Sequence, residues 1–351
     1  MPRNFFIQES QLDDYQHLVI NSTASSLVVK GCAGSGKSIL ALWKAKQIQD
    51  NNRGSFLFIV KMNSLKQYMH DGISQVGIDE TNVETFNKCF RWHRGDDGPQ
   101  RDDWRKGHYD YILVDEAQDI SIDDILLLRT KADNVFFYGD SAQQLLPDGA
   151  RMETIADRLV LPIRELTFNY RLPKKVARVA SIINSENDEL ETRCINEGPE
   201  KPFVFRYNSF EEELDAIMKI VKNRQFEDVG IFYRNDKDVE RAYNYLRNHD
   251  FNVEARFYGG KVDDLNFNST NPKILNYYNS KGLQFEAVFM PNFSDSDKRN
   301  SKNDRNALYV AITRTYQSLY ILYSGNLSSF FDDVPTNLYN TNTTTNQTEE
   351  L

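Results

Sequence analysis

Short apolar runs alternate with stretches of helical periodicity along most of the chain. That pattern predicts an α/β fold with mainly parallel, buried strands. Ser26–Lys30 (SLVVK) reads as the first strand; a Gly-rich turn follows, and then Ile39, Leu40, Trp43 and Ile48 recur at helical spacing. Phe56–Val60, Tyr111–Val114 and Val135–Tyr138 read as further strands, with a helix predicted over Ile122–Ala132. A second series is predicted to begin near Arg164. Its helices cover Lys174–Ile183, Glu211–Lys222 and Val239–Arg247, and its strands lie at Phe203–Arg206, Val229–Tyr233, near Ile274, near Val288 and at Ser318–Leu322. The polar, turn-rich segment Arg91–Lys106 is expected to be an exposed loop, as is the acidic-polar stretch Asn292–Asp304. A boundary at 165/166, close to Pro162, gives domains 1–165 and 166–335; the low-complexity tail 336–351 is expected to be disordered.

Composition narrows the functional classes. At 351 residues the chain is long enough for two domains, and 40% hydrophobic with 26% charged residues is an ordinary globular balance. Lys plus Arg number 42 against 51 Asp plus Glu, a net charge of −9, so bulk charge does not coat nucleic acid and any such contact is confined to a local path. Cys32, Cys89 and Cys194 are far apart and form neither a metal-type spacing nor a disulfide framework, which suits a reducing, cytoplasmic setting. No apolar run approaches the length of a membrane span, and the start MPRNFFIQESQ lacks the apolar stretch of a signal peptide.

The strongest chemical signal is Gly31-Cys-Ala33-Gly34-Ser35-Gly36-Lys37-Ser38, set between a predicted strand and a predicted helix. This is the G-x-x-x-x-G-K-[ST] phosphate loop in its expected context. Its glycines let successive backbone N–H groups turn inward on phosphates, and the helix N-terminus adds partial positive charge. Lys37 is placed to reach the β- and γ-phosphates and the Ser38 hydroxyl to hold Mg²⁺, which predicts binding of a nucleoside triphosphate. The strand Tyr111–Val114 ends in Asp115-Glu116-Ala-Gln118-Asp119. Asp115 is a second candidate for Mg²⁺, and Glu116 stands where it can orient and deprotonate an attacking water. Another strand ends in Gly139-Asp140-Ser-Ala-Gln143, whose Gln143 is a neutral group suited to sensing a γ-phosphate.

Together, GCAGSGKS, DEAQD and GDSAQ resemble the UvrD/Rep-like branch of superfamily 1 helicases. Further segments match in the same order. Leu12-Asp-Asp-Tyr-Gln16 is similar to the motif whose glutamine reads adenine, and Thr85-Phe86 to the short motif before the magnesium strand. Leu166-Thr-Phe-Asn169-Tyr170-Arg171 resembles the NYR motif, Ser280-Lys281-Gly-Leu-Gln284-Phe285 the SKGLEF motif, and Tyr309-Val-Ala-Ile-Thr313-Arg314 the last motif. The resemblance implies two RecA-like, parallel-sheet P-loop domains with ATP and Mg²⁺ between them. It implies that Gln16, Tyr170 and Gln284 contact the nucleoside while Arg171 and Arg314 reach the γ-phosphate. It also implies an ATP-dependent, 3′-to-5′ DNA helicase or translocase on single-stranded DNA, with RNA not excluded.

The chain departs from that family in two ways. The stretches 39–114 and 172–280 are short, so both of the family's inserted arms are expected to be absent or vestigial. The stretch after the GDSAQ segment, Gln144-Leu-Leu-Pro-Asp-Gly-Ala150, has no stacking aromatic; Val60-Lys61-Met62-Asn63 lacks the usual Phe; Tyr278 replaces a His; and Gln284 replaces a Glu. Lys61, Asn63, Thr85 and Tyr278 remain the candidates for a phosphate-tracking path. These departures keep open an alternative: an ATPase switch that transmits nucleotide state to a protein partner, such as a nuclease in a defence or repair complex.

Overall fold

The computed structural model describes residues 7–95, 98–183, 189–257, 265–294 and 302–342. The chain divides into two compact units, Met1–Thr167 and Phe168–Leu351, each built on its own parallel sheet. The division falls two residues beyond the predicted 165/166 boundary.

The first unit runs α1 (Asp14–Ile20), β1 (Leu27–Gly31), α2 (Lys37–Asp50), β2 (Phe56–Val60), α3 (Asn63–Val76) and β3 (Val83–Thr85). After these come β4 (Phe90–Gly95), β5 (Gly98–Trp104), β6 (Tyr109–Val114), α4 (Ile122–Arg129), β7 (Ala132–Gly139), α5 (Met152–Leu159) and β8 (Ile163–Leu166). Six of these strands form one parallel sheet in the order β3-β2-β6-β7-β1-β8. β2 is buried along its whole length, as a parallel strand covered on both faces requires, which is why it reads as an unbroken apolar run. On one face, Val28, Ile59, Val114 and Phe137 pack with Ile125 and Leu128 of α4 and Met152 and Ile155 of α5. α4 starts where the Ser121 hydroxyl accepts the Asp124 N–H, a side-chain cap on the first turn.

Three expectations change here. β8 pairs with β1, so the strand near Arg164 closes the first sheet and does not open the second series. α4 ends at Arg129, and Ala132 already belongs to β7. The segment 91–106 is not a loop: β4 and β5 form a separate antiparallel ribbon, anchored at its base by Phe90 edge-on to Trp104 and by Arg101, which lies over Phe90 and pairs with Asp124.

The second unit contains α6 (Lys174–Ile183), α7 (Leu190–Arg193), β9 (Phe203–Tyr207), α8 (Phe210–Arg224), β10 (Val229–Tyr233), α9 (Asp236–Asn248) and β11 (Glu254–Ala255). It continues with β12 (Lys273–Asn276), β13 (Phe285–Met290), α10 (Lys302–Ile312), β14 (Thr315–Ser324) and β15 (Asn340–Thr341). Its sheet order is β11-β12-β10-β13-β14-β9-β15, again parallel. Ile231, Ala287 and Phe289 pack against Leu214 and Ile217 of α8 and Val239 and Leu246 of α9, while Tyr320 stacks on Phe203 and Phe289 with centroids 4.8 and 4.6 Å away. The predicted tail is structured at its start: Asn340 and Thr341 add β15 to β9, and the Asn342 carboxamide bonds both main-chain groups of Arg206. Residues 343–351 of that tail, like 295–301 of the stretch 292–304, lie outside the described residues.

Candidate nucleotide site

In a parallel sheet all carboxyl ends lie along one edge, and ligands of open α/β sheets bind outside it. In the first unit that edge gathers the loop after β1, Asp115 and Glu116 after β6, Asp140–Gln143 after β7, Lys61 after β2 and Thr85 at the end of β3. Residues separated by more than a hundred positions become neighbours through strand order alone.

The loop Gly31–Gly36 turns tightly into α2, with Gly34 at φ +74° and Gly36 at φ +91°. Gly36 is required twice over. Its φ lies in the left-handed region, and a Cβ there would sit 2.7 Å from Gln16 Nε2. Gln16 itself is fixed by a reciprocal cap, its N–H on Asp13 Oδ1 (2.7 Å) and its Oε1 accepting the Asp13 N–H (3.1 Å); its Nε2 donates to Ser35 C=O at 3.1 Å. The adenine-reading candidate and the phosphate loop are therefore one hydrogen-bonded piece. Lys37 Nζ folds back onto Gly31 C=O (2.9 Å) and Cys32 C=O (2.8 Å), across the concavity of the loop, while Ala33 contributes backbone to the turn.

Ser38 opens α2 and its Oγ donates to Asp115 Oδ2 at 2.5 Å. Asp115 is buried, and burial first, then the neighbouring Glu116 charge, push its pKa up to about 6 against the pull of Ser38 and Lys37. Two adjacent buried acids with one hydroxyl between them and the loop form a donor set suited to a hard divalent cation. The Ser35 Oγ, buried without a hydrogen-bond partner inside the glycine turn, is a polar group that the loop's own atoms leave unsatisfied. Both features fit a magnesium–triphosphate ligand, whose metal Ser38 and Asp115 would hold.

Glu116 sits at φ +55°, an uncommon conformation for a side-chain-bearing residue. Its Oε2 accepts from Gln118 Nε2 at 2.6 Å. Gln143 donates its Nε2 to Asp140 Oδ2 at 2.6 Å. Lys61 lies over the Phe86 ring at 4.7 Å, Asn63 is exposed at the start of α3, and Thr85, another candidate for a nucleic-acid path, is buried. Thr85 ends β3, in register with Val60 of β2, and its side chain is covered there.

In the second unit Asn169, a residue the sequence reading quotes without a role, shapes the turn that presents Tyr170 and Arg171. Its Oδ1 accepts the Arg171 and Leu172 N–H groups, both at 2.9 Å. Tyr170 stays exposed, edge-on to Phe168. Arg314 lies beyond the end of α10, its Nε donating to Val310 C=O (2.8 Å) and its guanidinium NH2 to Thr313 Oγ1 (3.0 Å). Its carbonyl accepts the Phe285 N–H at 2.9 Å, which brings Gln284 and Arg314 together. Tyr278 opens onto a cavity of about 230 Å³ whose lining includes Arg234, Asn235, Tyr277, Asp304 and Phe330. Sequence reasoning missed Arg234 and Asn235, which follow directly on the apolar strand β10 as other site residues follow theirs.

The AAA domain family matches residues 16–150, covering the phosphate loop, the acidic strand tip and the GDSAQ turn. The C-terminal domain family of UvrD-like helicases matches residues 273–322, from β12 through Gln284 and Arg314 to β14. Together the two matches support a UvrD-like superfamily 1 helicase. No curated protein matches this chain. Among solved structures it is similar to the C-terminal domain of a possible DNA helicase from Lactobacillus plantarum WCFS1 (18% identity, TM-score 0.40, covering 49% of this chain and 98% of that one). It is also similar to arterivirus nonstructural protein 10, a helicase, alone (16% identity, TM-score 0.45) and in complex with DNA (17% identity, TM-score 0.45). These two alignments cover 90% of this chain but only 63% and 65% of the arterivirus chains. The family domains make the chain a helicase-like ATPase that uses a nucleotide. Among the described residues, no helix is long and apolar enough to cross a membrane.

Proposed function

We propose that this chain, as a UvrD-like helicase, hydrolyses ATP and uses the cycle to move 3′-to-5′ along single-stranded DNA. The observation that carries this reading is the set Lys37, Ser38, Asp115 and Glu116, assembled on one sheet edge around a glycine turn. Lys37 exchanges two carbonyl acceptors for phosphate oxygens, so its charge is prepaid by the loop. Glu116 takes the proton of the attacking water. Gln143 senses the γ-phosphate, and Arg171 and Arg314 supply permanent charge to the transferring phosphoryl. Gln16, Tyr170 and Gln284 hold the nucleoside. Bound Mg²⁺, held by Ser38 and Asp115, supplies charge neutralisation on the phosphates.

A second reading has its own support. Thr85 is buried and the 144–150 stretch carries no aromatic, so a nucleic-acid path through the first unit rests on Lys61 and Asn63, with Tyr278 in the second. A stacking aromatic is worth about 1–3 kcal/mol per base, and its loss weakens the grip that makes each cycle advance a strand. A nucleotide switch acting on a protein partner, for instance a nuclease, fits that economy.

ATP turnover measured with and without single-stranded DNA or RNA separates the two. Stimulation that Glu116→Gln abolishes supports the translocase; turnover indifferent to nucleic acid, yet still lost in that variant, supports the switch. No turnover in the intact chain overturns both. A forked duplex with a 3′ tail then reads strand separation directly.

A further inference from the structure

Gln118 is fully buried beneath the acidic strand tip and makes two hydrogen bonds that no role in the ATP reading uses. Its Nε2 donates to Glu116 Oε2 at 2.6 Å, and its Oε1 accepts the Asp140 N–H at 3.0 Å. Asp140 passes the link on. Its Oδ2 accepts from Gln143 Nε2 at 2.6 Å, and its Oδ1 accepts the Ala142 N–H at 3.0 Å. A continuous chain of hydrogen bonds thus joins Glu116, on the turn after β6, to Gln143, on the turn after β7.

Three further observations show that this link is built. Glu116 holds a left-handed backbone at φ +55°, a conformation that persists only when its surroundings over-determine it. Gly139 leaves room for the amide, since a Cβ there would lie 2.4 Å from Gln118 Oε1. The Gln143 turn is also tied from its other side: Ser141 Oγ accepts the Met152 N–H and donates to Glu153, both at 3.0 Å, and Glu153 pairs at 2.8 Å with Lys30, the residue before the phosphate loop.

We propose that Gln118 is a positioning residue: it holds the Glu116 carboxylate on the attacking water and, through Asp140, orients Glu116 and Gln143 as one unit. The inference rests on the reading above that Glu116 activates water and Gln143 senses the γ-phosphate. The amide is suited to the task because it donates to a carboxylate and accepts from a backbone N–H simultaneously, which neither a carboxylate nor an apolar side chain can do.

The test uses the full chain and reads ATP turnover and affinity for a fluorescent ATP analogue in Gln118→Glu, Gln118→Leu and Gln143→Ala. Gln118→Glu keeps volume and the acceptor toward Asp140 but sets an oxygen against Glu116. Both Gln118 variants are expected to lose about 100-fold in kcat, with KM and analogue affinity within about threefold of the parent, as misplacing a reacting group does. Adding Gln143→Ala to Gln118→Leu is expected to cost little beyond the larger single loss, because the two act through one chain. A Gln118→Glu protein with parental kcat overturns the proposal whatever Gln118→Leu does. Losses in kcat that multiply independently in the double variant overturn the coupling to Gln143. Silence of the parent chain strikes the ATPase reading instead, so the two failures are distinct.

Discussion

Replacing Glu213 with Gln should make the second unit more stable at pH 8 than the parent and flatten its dependence on pH. Glu213 lies on α8 with no measurable exposure. One oxygen, Oε2, accepts the Asn292 N–H at 2.5 Å; the other, Oε1, has no hydrogen-bond partner. The groups around it are Asp238, Arg241, Ser324 and the Tyr207 and Tyr233 hydroxyls. Burial outweighs the Asn292, Ser324 and Arg241 contributions and pushes the carboxyl from 4.5 up to about 7. Below pH 4.5 the group is protonated whether the chain is folded or not, and its full contribution is present. Between 4.5 and 7 the unfolded chain releases a proton that the folded unit keeps, so stability falls as pH rises. Above 7 the deficit is constant, on the order of 3 kcal/mol. Gln keeps an oxygen for Asn292 and never ionises. Thermal melts of parent and Glu213→Gln at pH 5 and pH 8 should therefore diverge at the higher pH by roughly 6–12 °C in favour of the variant. Parallel stability curves across that range would refute the reasoning.

Lys37→Ala removes the side chain that folds across the loop's concavity, and turnover should fall at least about 100-fold in a coupled ATPase assay. Arg314→Ala should cost about a thousandfold or more in turnover while leaving nucleotide affinity in the first unit nearly intact; turnover near the original rate in either variant would sink the site assignment. Gly36→Ala combines a left-handed backbone at φ +91° with a contact at 2.7 Å to Gln16 Nε2, so it should weaken ATP more than inorganic triphosphate, measured by competition, because Gln16, proposed to hold the nucleoside, is displaced with the loop.

How far the sequence discloses this molecule depends on whether a signal is local. The phosphate loop and the strand tips at Asp115 and Asp140 are legible because the chemistry occupies consecutive residues flanked by apolar runs. The β4–β5 ribbon is not, since its polar strands are held by side chains outside the window: Arg101 finds its carboxylate on Asp124 in α4. A clue was present in Gly95-Asp-Asp-Gly98, a turn sequence that favours hairpins. β8 reads as the start of the next series because periodicity cannot say which earlier strand accepts it. The burial of Thr85 shows only once β3 lies beside β2, and the Gln118 link depends on Asp140, which lies on a different strand end. Asn340 and Thr341 sit in an Asn/Thr-rich stretch with no apolar pattern, and only the open edge of β9 makes them a strand.

The sheet order of the first unit also sets a timetable for biosynthesis. β1 lies between β7 and β8, so the strand that carries the phosphate loop finds its first partner only once residues 132–139 have been made, and its second only at Ile163–Leu166. Contacts this far apart in sequence close late and slowly, and domains tend to fold as units while the chain is still being made. A ribosome-bound chain that ends before β7 can join β3, β2 and β6, yet it offers β1 and its G-x-x-x-x-G-K-S turn no neighbouring strand. The phosphate loop is therefore expected to take its final shape only near the completion of the unit.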